Sequence, residues 1–136
     1  MPYRSVFRSD LFADKTIIVT GGGSGIGRCT AHELAALGAR VVLLGRKEDK
    51  LKTAADEIQE DTGNEALPLS GDSRDEENVR QAVAAIYKQV GEVHGLVNNA
   101  GGQFPSPVAL ISQKGWETVI RTNLTGGFLM AREVFM

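Results

Sequence analysis

Thr20-Gly21-Gly22-Gly23-Ser24-Gly25-Ile26-Gly27 decides the reading of this 136-residue chain. The stretch follows an apolar run, Thr16-Ile17-Ile18-Val19-Thr20, and precedes a helical pattern over residues 25–37. Strand, glycine turn and helix in that order are the context a phosphate-binding turn requires. Glycine lets the backbone turn sharply and approach a pyrophosphate with no Cβ in the way. The helix N-terminus behind it offers N–H groups and a positive dipole end to an anion. Gly21, Ser24, Gly25, Ile26 and Gly27 are therefore candidate phosphate-binding residues. Gly22 and Gly27 also stand at the spacing of an NTPase P-loop, but Arg28 and Cys29 occupy the positions where that loop needs Lys and Ser/Thr. The NTPase reading fails at both.

On either side of this turn, short β-branched runs alternate with helical patterns, which predicts βαβ units and a parallel sheet. The expected strands are residues 16–20, 40–44, 66–69 and 94–98. The near-continuous apolar runs suit strands covered on both faces. Helix patterns span residues 25–37, with Ile26, Thr30, Leu34 and Leu37 on one face and Gly38 as the cap, and residues 48–60, with Leu51, Ala55 and Ile58 on one stripe. A third helix is expected to open on a Ser73/Glu76 capping box and to bury Val79, Ala82, Val83, Ile86 and Val90. A last helix starts near Ser112 and is still amphipathic at Met136, as though continuing. The fold class expected is α/β, a Rossmann-type doubly wound parallel sheet in the order 3-2-1-4 that stops after the fourth strand and its helix. An N-terminal arm is expected over residues 1–14, and one dinucleotide-binding domain, incomplete, over residues 15–136.

The end of the second strand bears on the ligand. An NAD-binding unit places an acid there for the ribose 2′-hydroxyl. This chain has Gly45-Arg46-Lys47. An acid would repel a 2′-phosphate, whereas Arg46 can hold one bidentately and Lys47 adds charge. NADP is the cofactor this predicts.

Composition narrows the alternatives. Hydrophobic residues make up 42% and charged residues 24%, with a formal net charge of −2. That balance suits a soluble globular domain and provides no broad basic field for nucleic acid. No apolar run is long enough for a membrane span, and the N-terminus lacks a secretory apolar core. With one cysteine, Cys29, there is no internal disulfide; it reads as a small buried side chain in a cytoplasmic protein.

The stretch from Thr20 to Gly27, Asp72, the run Asn98-Asn99-Ala100-Gly101 and Asn123 together resemble the short-chain dehydrogenase/reductase family. The glycines match its T-G-x-x-x-G-x-G element and the asparagine run its N-N-A-G element. The resemblance implies hydride transfer between a nicotinamide and a carbonyl or enoyl substrate. It also implies that Asp72 contacts the adenine region and that Asn98, Ala100 and Gly101 line the adenosine–ribose side and stabilise the sheet. Asn99-Ala100-Gly101-Gly102-Gln103-Phe104, Lys114-Gly115-Trp116 and Thr122-Asn123-Leu124-Thr125-Gly126 look like the enoyl-CoA and 2,4-dienoyl-CoA reductase branch, which makes an acyl-CoA thioester a candidate substrate. Ketoacyl reductases and alcohol dehydrogenases share most of these positions.

Asn123 also stands out without the resemblance, because it interrupts an apolar stripe of Trp116, Val119, Ile120, Leu124 and Ala131. A buried amide is costly unless bonded. Two readings stay open: an amide tied to a neighbouring segment, or the catalytic asparagine that the resemblance implies, holding a water in a proton relay. The family's catalytic Ser, Tyr and Lys are expected downstream of Asn123 and beyond this chain, since neither Tyr3 nor Tyr87 begins a Y-x-x-x-K element. A non-catalytic nucleotide-binding or interaction module is the alternative. The apolar excess of the last helix, including Phe128, Leu129, Val134 and Phe135, predicts homo-oligomers.

Overall fold

The computed structural model describes residues 4–136, so Tyr3 lies outside the described residues. Four strands, β1 (Thr16–Thr20), β2 (Arg40–Gly45), β3 (Ala66–Ser70) and β4 (Gly95–Val97), form one parallel sheet in the order β3-β2-β1-β4. The expected order holds, and each strand lies within a residue or so of its sequence-based bounds. β1 pairs with β2 from Thr16 opposite Arg40 to Thr20 opposite Leu44, and with β4 from Ile17 opposite Gly95.

Alternation along the central strands divides the core in two. Ile17, Val19, Val41 and Leu43 face α1 (Gly25–Ala36) and α2 (Glu48–Thr62). Ile18, Val42 and Leu44 face α3 (Glu76–Val90) and a C-terminal helix, α5 (Gly126–Phe135). Both faces are covered, and β1 is buried at all five positions. Residues 4–14 fold back onto the end of α1: Phe12 N donates to Leu37 O at 2.8 Å, and the Phe12 ring packs against the first core cluster.

α1 departs from expectation in its buried face. Gly27, Ala31, His32 and Ala35 point inward, and Ile26 is 79% exposed. Of the expected face of Ile26, Thr30, Leu34 and Leu37, Leu37 is buried and Leu34 packs against the core, while Ile26 is turned out. The rest of the inner face is made of small side chains, because the helix lies close to the sheet. A Cβ at Gly27 would stand 2.4 Å from Gly21 O. Cys29 falls on the outer face and is exposed, which corrects its reading as a buried side chain.

The other helix ends obey local chemistry. α2 stops at Gly63, whose φ of 73° is the left-handed cap that glycine adopts without strain. α3 does not open on Ser73 and Glu76. Asp75 is its N-cap, accepting from Asn78 N at 2.8 Å, while Ser73 belongs to the preceding loop. Asn78 is occupied in building that loop, since its Oδ1 accepts from Asp72 N at 2.6 Å.

The single helix expected after Ser112 has three parts: α4 (Gln113–Ile120), a π-helical turn (Arg121–Thr125) and α5. Ser112 caps it as expected, accepting from Gly115 N at 3.1 Å. The wider turn shifts the phase of α5 relative to α4. Gly115, Gly126, Leu129 and Met130 are buried, whereas Trp116, Leu124 and Phe128 are exposed. Asn123 is exposed too, so its expected burial within an apolar stripe is overturned. Among the described residues no helix is long and apolar enough to cross a membrane.

The two faces of the fold should respond differently to truncation. Leu43→Ala removes a side chain that is fully buried, and should cost about 2–5 kcal/mol in urea unfolding. Ile26→Ala, on the exposed side of α1, should change stability by no more than about 0.5 kcal/mol. A large loss at Ile26 would contradict the assigned helix face.

Candidate nucleotide-binding site

The carboxyl ends of β1, β2 and β3 open into a cleft of about 440 Å³. Parallel strands all end on the same edge, and loops and helix N-termini gather there. The glycine turn forms one wall. Gly21 and Gly25 have φ of 69° and 54°, a left-handed backbone that side chains rarely adopt. Ser24 is the α1 N-cap residue but makes no side-chain capping bond, and the first turn of α1 carries no acid. The helix therefore keeps N–H donors and its positive dipole end directed at the cleft.

The Thr20 side chain, only 2% exposed, fixes the turn to the opposite wall. Its hydroxyl accepts from Asn99 N at 3.0 Å and Ala100 N at 2.9 Å, and donates to Val97 O at 3.3 Å. Asn99 Nδ2 returns a bond to Thr20 O at 3.0 Å. This network ties the end of β1 to the 98–101 turn through the Asn99 side chain and main-chain atoms. Asn98 points elsewhere, donating from Nδ2 to Gly127 O on α5 at 3.0 Å.

The third wall is charged. Arg46, Lys47, Lys50 and Arg74 line the cleft with one carboxylate, Asp72. Arg74 grips Asp72 with Nε and Nη2, the latter at 2.6 Å from Oδ2. The Arg74 hydrogen bonds hold the Asp72 carboxyl down at about 2, against the opposing effect of partial burial, and Arg46 adds further attraction. Asp72 is therefore an anion at any ordinary pH.

Of the residues singled out in the sequence, Gly21, Ser24, Ile26, Arg46, Lys47, Asp72, Ala100 and Gly101 line this one cleft. Exposure of Ile26 thus agrees with its place at the site. Gly25 and Gly27 shape the turn behind the wall without lining it. Asn123 is beside the cleft, on the π-helical turn. Its Nδ2 donates to Gly102 O at 2.7 Å and Val119 O at 2.8 Å, and its Oδ1 accepts from Gly102 N at 3.2 Å. A Cβ on Gly101 would stand 2.6 Å from that oxygen. Sequence reasoning missed Lys50, Arg74 and the Asn99 side chain. Lys50 is one helical turn past Lys47, a signal the sequence carries; Arg74 has none beyond its two-residue spacing from Asp72.

Comparison with known proteins agrees with this geometry. A family model described as short chain dehydrogenase matches residues 15–136. A citronellol catabolism dehydrogenase of Pseudomonas aeruginosa PAO1 superposes with a TM-score of 0.92 at 64% identity, covering 98% of this chain and 54% of that one. A short chain dehydrogenase from Escherichia coli CFT073, solved in complex with NADPH, gives a TM-score of 0.88 at 31% identity over 94% of this chain and 55% of that one. Glucose 1-dehydrogenase of Gluconobacter oxydans (strain 621H) is 42% identical over 92% of this chain and 47% of its own length. A peroxisomal 2,4-dienoyl-CoA reductase of Danio rerio is 33% identical over 98% of this chain and 44% of its own. The chain spans about half the length of the relatives it matches.

Two measurements test the site's construction. Thr20→Val keeps the branched shape but leaves Asn99 N and Ala100 N without their acceptor, and should cost about 1–3 kcal/mol on denaturant unfolding. The depressed Asp72 value, about 2 against an ordinary 3.8, contributes stability above pH 3.8 that is lost as pH falls towards 2. Asp72→Asn should flatten the stability curve in that window; an unchanged acid limb would remove the Asp72–Arg74 pair from the account.

Proposed function

Because the chain belongs to the short-chain dehydrogenase family, we propose that it is the NADP(H)-binding portion of an oxidoreductase acting on a carbonyl or enoyl substrate. The observation that carries the reading is the meeting, in one cleft, of the glycine turn with Arg46 and Lys47 at the end of β2. No acid stands where the ribose 2′-hydroxyl of NAD would need one. The residues present fit such a nucleotide. The uncapped N-terminus of α1 suits a pyrophosphate, a Cβ at Gly25 would meet only open space, and the basic wall suits a 2′-phosphate. The NADPH-bound relative supports the same choice.

When bound, the nicotinamide supplies or accepts the hydride. This chain's own part is to bind and orient. Gly21, Ser24 and Ile26 receive the phosphates on a turn that Gly25 and Gly27 shape, Arg46 and Lys47 receive the 2′-phosphate, and Asp72, Ala100 and Gly101 the adenosine side, with Asn98 tying the 98–101 turn to α5. Asn123 is assigned the water-holding place in a proton relay. Its place on a π-helical turn, a feature frequent at functional sites, supports that assignment, while its clamp on Gly102 is the tie to a neighbouring segment. Tyr87 is not the acid/base group: its hydroxyl donates to Val134 O, and it lies outside the cleft.

The relatives point to three substrate classes, one of them a sugar, as in the glucose 1-dehydrogenase. The citronellol catabolism dehydrogenase supports a substrate of citronellol breakdown, and the dienoyl-CoA reductase an acyl-CoA thioester. Trp116, Leu124, Phe128 and Phe135, all more than half exposed, support a homo-oligomer.

Binding of NADPH and NADH to the purified protein and to Arg46→Asp tests the cofactor assignment. The wild type should prefer NADPH. The variant should lose roughly tenfold or more in NADPH affinity, the equivalent of a charge-assisted bond of about 1.5–3 kcal/mol. A preference for NADH, or one unmoved by the substitution, overturns it.

A further inference from the structure

Sheet register brings Arg46 and Asp72 to neighbouring strand ends, close enough for Arg46 to attract the Asp72 carboxylate. β2 and β3 pair with Gly45 opposite Ser70, and Gly71 N donates to Gly45 O at 2.8 Å. The chain therefore leaves β2 at Arg46 and β3 through Gly71 to Asp72, and both side chains line the same cleft. A guanidinium and a carboxylate so placed attract one another. If they paired, the Arg46 fork would be engaged by Asp72 and lost to an anionic ligand.

The structure holds a different pairing. Arg74 Nε lies 2.9 and 3.2 Å from the two Asp72 oxygens, and Arg74 Nη2 lies 2.6 Å from Oδ2. Arg74 N also donates to Asp72 Oδ1 at 3.0 Å, closing a tight turn. The loop is tied at both ends: Asp72 N donates to Asn78 Oδ1 at 2.6 Å, and Arg121 Nε, from the π-helical turn, donates to Arg74 O at 3.3 Å. Asp72 thus has both oxygens taken, and among the described residues Arg46 makes no ion pair.

We propose that Arg74 is a positioning residue for nucleotide selectivity, which by occupying both oxygens of Asp72 keeps Arg46 available for a phosphate on the adenosine ribose. The inference rests on the NADP(H) reading above and adds the device that sustains it. Arg74 acts through Asp72, and its own guanidinium is not the group that holds the phosphate. Without Arg74, Asp72 would turn to Arg46, and the cleft would lose selectivity for the 2′-phosphate while still accepting the rest of the nucleotide.

The two mechanisms, direct contact and action through Asp72, separate in a double-substitution cycle. The probes are 2′,5′-ADP and 5′-AMP, titrated calorimetrically into wild type, Arg74→Met, Asp72→Asn and the double variant. The readout is the ratio of the two dissociation constants, in which any general loss of adenosine binding at Asp72 cancels. Wild type should favour 2′,5′-ADP. Arg74→Met should cut that selectivity at least fivefold, Arg74→Lys should cut it less, and adding Asp72→Asn to Arg74→Met should restore it to within about twofold of wild type. A double variant as unselective as Arg74→Met means that Arg74 meets the phosphate directly, which overturns the inference, as does an unchanged ratio in Arg74→Met. A wild-type ratio near one overturns the NADP(H) reading itself, so the two failures are distinct. Should Arg74→Met not fold, Arg74→Gln takes its place in the same cycle: a loss of selectivity that Asp72→Asn restores supports the proposal, and a loss that Asp72→Asn leaves in place overturns it.

Discussion

The Thr20 hydroxyl has one proton and two lone pairs, and all three are used: Val97 O, Asn99 N and Ala100 N. These bonds join the last residue of β1 to the turn after β4. β4 is three residues long and lies at the sheet edge, with each of its residues only part-buried. Ladder bonds alone are a weak tether for so short a strand. The hydroxyl supplies a second one, and it fixes the glycine turn and the 98–101 turn as facing walls. Asn99 reinforces the joint through its bond to Thr20 O. A Cβ on Gly21 would lie 2.9 Å from the Asn99 amide nitrogen, so Gly21 and Asn99 constrain one another.

That joint imposes a second constraint. α1 must start from a wall already fixed at Thr20 and still reach the sheet within one turn. Only small residues permit the approach, and Gly27, Ala31 and Ala35 supply them at helical spacing. With the inner face given over to small side chains, the larger Ile26 falls on the outside, where it borders the cleft. Packing and site are thus two consequences of one close contact between helix and strand.

This also explains what the sequence could and could not convey. Strand order and helix spans were legible because β-branched runs and 3.6-residue periods record burial directly. The face of α1 was not, because apolar periodicity weighs large side chains and overlooks a glycine–alanine seam. The π-helical turn at residues 121–125 was hidden too. Thr-Asn-Leu-Thr is compatible with ordinary helix, and the wider turn is tied to the Asn123 clamp on Gly102, a contact across 21 residues. The glycine turn and Arg46 could be placed at one cleft because their meaning is local to a strand end, and Asp72 through the resemblance to the family. Arg74 could not, since its role depends on which oxygens Asp72 presents, a matter of three dimensions.

The charge of the cleft makes the same distinction between global and local. The chain as a whole carries a net charge of −2, which speaks to solubility and non-specific association rather than to a ligand. At the cleft, four cationic side chains surround a single carboxylate. That carboxylate is neutralised by one of the four through a bidentate pair. The remaining cations, Arg46, Lys47 and Lys50, come from the end of β2 and the first turn of α2, so they share one side of the opening. The dipole end of α1 enters from the other side. An anion with two separated phosphate groups meets positive potential at both, and a ligand with only one meets it at either. The β1–β2 register fixes the spacing between these two positive ends, so that Arg46 is held at one and the N-terminus of α1 at the other.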